Sequence, residues 1–164
     1  MFDYNKVYFK VMNDKETHYG FKYKDGLNIL QEKFDDNPKH SCCAGGLYFT
    51  DYKNLHLFIN MITDATYIRE VTIPTDAKVV LDLEGDKWRA DKIILNKRYH
   101  LWDDFDKWFD PVRWNWEEGS GVLVRLFNHH FDKWWDAERF NWEEECYLEK
   151  YCQQYKEIWG NNKH

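Results

Sequence analysis

Long apolar runs are missing from this chain: nowhere in its 164 residues do eighteen apolar residues follow one another, so the sequence offers no membrane-spanning helix. The opening MFDYNKVYF also lacks a basic stretch leading into an apolar one, so neither export nor membrane insertion is expected. Cysteine is sparse and badly spaced for a disulfide framework. Cys42 and Cys43 are adjacent, and Cys146 and Cys152 lie six apart on an expected helix, which points to reduced, structural thiols. Basic excess is missing too. Residues 1–100 hold 15 basic and 15 acidic side chains, whereas residues 101–164 hold 8 and 14, so the net charge of −6 resides in the C-terminal part. Such a surface repels phosphate backbones and gives no footprint for nucleic acid.

Aromatic residues, by contrast, are abundant at 19%, and eight of nine tryptophans follow residue 100, a density incompatible with disorder. The same region carries an internal repeat. FDKWFDPVRWNWEE (105–118) and FDKWWDAERFNWEE (131–144) agree at ten of fourteen positions with a 26-residue offset. In each copy an Asp precedes a first helical residue, Asp110 before Pro111 and Asp136 before Ala137. Asn115 with Glu118, and Asn141 with Glu144, then have capping-box spacing. Each copy should therefore lead into a longer helix, with Leu123, Leu126, Phe127 and His130 on one face of the first, and Leu148, Tyr151, Cys152 and Tyr155 on that of the second. Gly119 and Gly121 weaken the first of these by about 1 kcal/mol each relative to alanine.

Upstream, VYFKVM and THYGFKY read as a β-hairpin, and CCAGGLYFT as a loop feeding a buried strand at Leu47–Phe49. A helix carrying Leu55, Phe58 and Ile62 follows, capped by Asp51. TYIREVTI, AKVVLDL and WRADKIIL read as three further strands. The expected fold is thus α+β: residues 1–98 form a small, mainly antiparallel sheet with one or two helices. Residues 99–164 form an all-helical pair of 26-residue repeats packed against it. Two repeats are too few to bury a core of their own, since such stacks need about three units. The contact, within the chain or with a partner, is assigned to Phe105, Trp108, Trp116, Phe131, Trp134 and Trp142.

The ordered blocks HYGFKYKDGLN (18–28), CCAGGLYFTD (42–51), VTIPTDAKVV (71–80) and KWRADKIIL (87–95) resemble an uncharacterised domain of short proteins from giant DNA viruses and some phages. The FNWE-type repeats look like those of similar viral proteins. The resemblance implies a viral origin, with the host cytoplasm or the virion as its place, and supplies no catalytic residues.

The chemistry-bearing candidates are few. GGLYF also resembles the strand on which ADP-ribosyltransferases hold nicotinamide against a tyrosine, with His18 and Tyr48 in the binding roles and Glu70 orienting the acceptor. Against this, His18 is followed by Tyr19 rather than glycine, and Gly45 and Gly46 serve equally as a tight turn before a core tyrosine. Adjacent Cys42 and Cys43 beside His40 do not suit one tetrahedral ion, and Asp103, Asp104 and Asp106 lack the glycine and glutamate of a calcium loop. His129 and His130 read as helix-end residues. The sequence therefore favours a non-enzymatic viral structural or interaction protein with no cofactor and no metal. Its partner would be a protein or a second copy in a homodimer, with no nucleic acid and no membrane. The alternative is an ADP-ribosyltransferase-like enzyme using NAD.

Overall fold

The computed structural model describes residues 2–134. Strands dominate them, because the valine-, isoleucine- and aromatic-rich runs outnumber the helical ones. Four strands form the main antiparallel sheet, in the order β1 (Tyr8–Asn13), β6 (Ala65–Thr72), β9 (Lys92–His100) and β4 (Gly26–Ile29). A second antiparallel sheet has the order β5 (Leu47–Phe49), β8 (Trp88–Ala90) and β7 (Val79–Leu81). The third is a two-stranded ribbon of β2 (Thr17–His18) and β3 (Phe21–Lys22). WRADKIIL is two strands rather than one. Asp91 marks the crossing between sheets, its N–H donating to Lys78 O and its carbonyl accepting from Leu30 N.

The expected hairpin of VYFKVM with THYGFKY does not form. β1 pairs instead with β6, Tyr8 opposite Val71 and Val11 opposite Ile68, which places Phe9 and Val11 on one buried face and Tyr8 and Met12 on the other. A strand buried on both faces stabilises the chain more than a two-stranded ribbon does, and that decides the pairing.

The expected α+β fold class with an all-helical repeat pair is also overturned. Nine strands in three sheets accompany three helices and one 3-10 turn among the described residues, and a helical repeat pair is not among them. Phe105–Trp108 makes a single turn (α2), Pro111–Arg113 a 3-10 turn, and Trp116–Trp134 one 19-residue helix (α3). The physical reason lies in the aromatics. Phe105, Trp108 and Trp114 are buried in the same cluster as Phe9, Val11, Ile68 and Tyr99 of the main sheet, so this segment walls the sheet's core. Leu101 and Trp102 before it, and Val122, Leu123 and Leu126 of α3, complete that wall. The side chains of Trp116, Phe131 and Trp134, and everything from Trp135 onward, including Trp142 and the rest of the second copy, lie outside what the structure describes.

Local signals formed as expected. Asp110 accepts from Val112 N at 3.0 Å with Pro111 at the first position of its turn. Asn115 and Glu118 make the reciprocal capping box, both bonds at 2.9 Å. The helix at Leu55–Met61 (α1) is capped at Asn54 rather than Asp51, whose carboxylate accepts from Asn54 N at 3.1 Å. The cost expected of Gly121 in α3 has a packing counterpart: a Cβ there would stand 2.9 Å from Asn60 Nδ2 of α1, so the glycine lets the two helices approach closely.

Candidate functional site

A cleft of about 230 Å³ opens where the free side of β1 meets the β2–β3 ribbon and the end of α1. On that side the backbone of β1 is bonded, among the described residues, through Phe9 and Thr50, which exchange two hydrogen bonds at 2.8 Å; beyond this point the cleft runs along Lys10 to Asn13. Phe49, Phe58 and Ile62 give it apolar walls. The ribbon reaches it through a tight turn in which Tyr19 and Gly20 both have positive φ, 48° and 77°, the combination a two-residue hairpin requires.

His18 and Tyr48 share this cleft. Their rings pack edge to face with centroids 5.9 Å apart, and Tyr19 lies 4.1 Å from His18. Tyr48 is buried and its hydroxyl fully engaged: it donates to Cys43 O at 3.0 Å and accepts from Cys43 N at 3.3 Å and Arg89 at 3.1 Å. Burial raises its pKa. His18 is exposed at the rim, and burial of the packed part of its ring, with Lys10 beside it, pushes its pKa down to about 4. It is therefore a neutral imidazole near pH 7. Glu70 does not line the cleft; its Oε1 accepts the Tyr99 hydroxyl at 2.7 Å.

The residue that sequence reading passed over is Lys10. It is 5% exposed, its Nζ donates to Tyr48 O at 2.8 Å, and it stands 4.7 Å from the centre of the Tyr23 ring. Burial alone lowers its pKa to about 7. Strand register sets Lys10 opposite Arg69, and Arg69 opposite Arg98, so three cations form a row across the sheet. Glu16 lies 3.5 Å from Arg69 and 3.6 Å from Arg98, and Asp25 pairs with Arg69. Among the described residues Lys10 has no ion pair. In the sequence it is the one polar residue of VYFKVM. The signal available was its position between Phe9 and Val11 in a run apolar at nearly every other residue.

Other candidates have structural partners. His40 Nδ1 contacts Asp35 Oδ2 at 2.7 Å. Asp104 accepts from Lys107 Nζ at 2.6 Å and from His100 N at 2.8 Å, and His129 stacks on Trp102 at 4.8 Å. Asp82, Glu84 and Asp86 converge, and Lys87 Nζ stands among them at 3.7, 3.6 and 3.3 Å, supplying the positive charge there. No described helix is long and apolar enough to cross a membrane.

No protein-family model and no solved structure matches the chain. Sequence relatives come from Acanthamoeba polyphaga mimivirus. "Putative ankyrin repeat protein R868" is 43% identical over 102 residues, 60% of this chain and 49% of that protein. "Uncharacterized protein R869" is 42% identical over 106 residues, 63% of this chain and 73% of that protein. "Putative ankyrin repeat protein R229" is 34% identical over 151 residues, 74% of this chain and 47% of that protein. The chain thus spans about half of R868 and of R229.

Proposed function

The chain belongs to the giant-virus protein family that includes mimivirus protein R869, and on that premise we propose that it is a non-enzymatic interaction module working through protein–protein contacts. The observation that carries this reading is the outer edge of the main sheet. β4 is an edge strand, and its outward-facing Leu27 and Ile29 are 45% and 49% exposed. An edge with apolar side chains is a template for adding a strand from another chain. Several relatives are named as ankyrin repeat proteins, and ankyrin arrays present extended concave binding surfaces. In those relatives the segment shared with this chain accompanies a further length of polypeptide. The partner is a protein or a second copy of this chain, met in the host cytoplasm or the virion.

Light scattering across a wide concentration range tests the self-partner form of this reading. Association that Ile29→Lys abolishes supports β4 as the contact. A strict monomer that also fails to co-purify with any viral protein from infected cells contradicts the interaction reading.

A second reading, an ADP-ribosyltransferase-like NAD site, draws support from the His18–Tyr48 pair alone, since Glu70 stands apart. A thermal-shift scan with NAD tests it. A real site at one hundred times its Kd adds about 2.7 kcal/mol of stability, and the absence of a shift removes this reading.

A further inference from the structure

We infer that the cleft is a binding site for a small apolar carboxylate, whose body occupies its apolar space and whose anion meets the ammonium of Lys10. This site is independent of the β4 edge and does not rest on the interaction reading.

A buried ammonium needs a counter-charge or several acceptors, because it has three donors and loses its hydration on burial. Lys10 has one acceptor, the Tyr48 carbonyl, and the face of the Tyr23 ring, which attracts a cation without neutralising it. The two carboxylates that serve its row, Glu16 and Asp25, are engaged by Arg69 and Arg98. The cleft's other lysine, Lys87, is already paired with three acids. Asp64 is the one carboxylate among the lining residues, and it makes no ion pair with Lys10. Lys10 is therefore a buried lysine without a carboxylate partner among the described residues, in the lining of an open, largely apolar space.

Size and charge then select the ligand. A dry cavity of about 150 Å³ takes a benzene ring, so 230 Å³ admits a ring or short chain with a carboxyl group. One available cation suits a monoanion; a phosphate dianion would leave charge unpaired in a poorly hydrated site. His18 adds a neutral ring at the rim that can hydrogen-bond without competing for the anion.

Isothermal titration of the intact chain with benzoate and with benzamide, its uncharged analogue, tests the assignment. Benzoate is expected to bind about tenfold or more tightly than benzamide, the worth of a hydrogen bond to a charged group. Lys10→Met, a similar volume without charge, should abolish that preference while leaving the fold intact by circular dichroism. A second readout needs no variant. The bound anion holds Lys10 protonated, so at slightly alkaline pH benzoate binding takes up a proton, seen as a dependence of the heat on buffer ionisation enthalpy. Equal binding of benzamide, retention of the preference in Lys10→Met, the absence of proton uptake, or no saturable benzoate binding each overturns the inference.

Discussion

Gly46 lies directly against the stem of Arg89: a Cβ added at Gly46 would stand 2.6 Å from Arg89 Cδ and 2.8 Å from its Cβ. Arg89, 3% exposed on β8, in turn holds the preceding loop, its Nε donating to Asp35 O at 2.8 Å and its other nitrogens to Asn37 O, His40 O and Tyr48 Oη. The glycine thus lets β5 pair with β8 while the guanidinium gathers the loop's carbonyls. Gly46→Ala should cost about 1–3 kcal/mol, the usual toll of overpacking. Urea denaturation measures it, and a variant as stable as the parent contradicts the contact.

Arg69 should prove the most expensive charge to remove. It is 1% exposed and lies against Glu16, whose Oε1 is buried and accepts no hydrogen bond. Arg69→Met leaves that buried carboxylate with the half-exposed Arg98 alone, 3.6 Å away, and should cost about 3–5 kcal/mol. Asp25→Asn, at the exposed end of the same cluster, should cost far less, although Arg69 holds the Asp25 carboxyl below the usual range. Equal losses for the two variants in denaturant titrations would contradict this ranking.

The buried amine makes stability depend on alkaline pH. Lys10 titrates at about 7 in the folded chain against an ordinary 10.5, so between these values the unfolded chain binds the extra proton. Its contribution to stability therefore rises with pH from about 7 to 10.5 and is lost as pH falls through that window. Lys10→Met should flatten this slope. His18 acts in the same direction at lower pH, between about 4 and 6.5. Denaturation midpoints of parent and Lys10→Met measured across the alkaline range check the sign, and parallel curves contradict it.

Much local structure was legible because it is dictated locally. The Asp110 turn, the Asn115–Glu118 box and the buried strand at Leu47–Phe49 each follow from a few neighbouring residues. Pairing was not legible. Nothing near Tyr8 announces Val71 as its partner, and Asp91 divides WRADKIIL between two sheets through bonds to Lys78 and Leu30. The duplication at Phe105 and Phe131 suggested a repeat unit because sequence similarity carries no burial. Trp108 and Trp114 lie in the cluster that forms the sheet's core, their indole N–H groups donating to Leu101 O at 2.9 Å and Tyr52 O at 2.7 Å. At the cleft, HYG and LYF pointed to His18 and Tyr48, whereas Lys10 became visible only once register placed it opposite Arg69, in one row with Arg98.

The segment from Leu101 to Leu126 is one wall of the sheet's core, in a cluster that joins Phe9 and Ile68 to Trp114 and Leu123. Native-state hydrogen exchange tests it most directly. The slowest amides of Val122–Leu126 in α3 should open with the same free energy as those of β1, β6 and β9, as one cooperative unit. Exchange of α3 through a separate opening of much lower free energy, with the sheet still protected, would contradict the account.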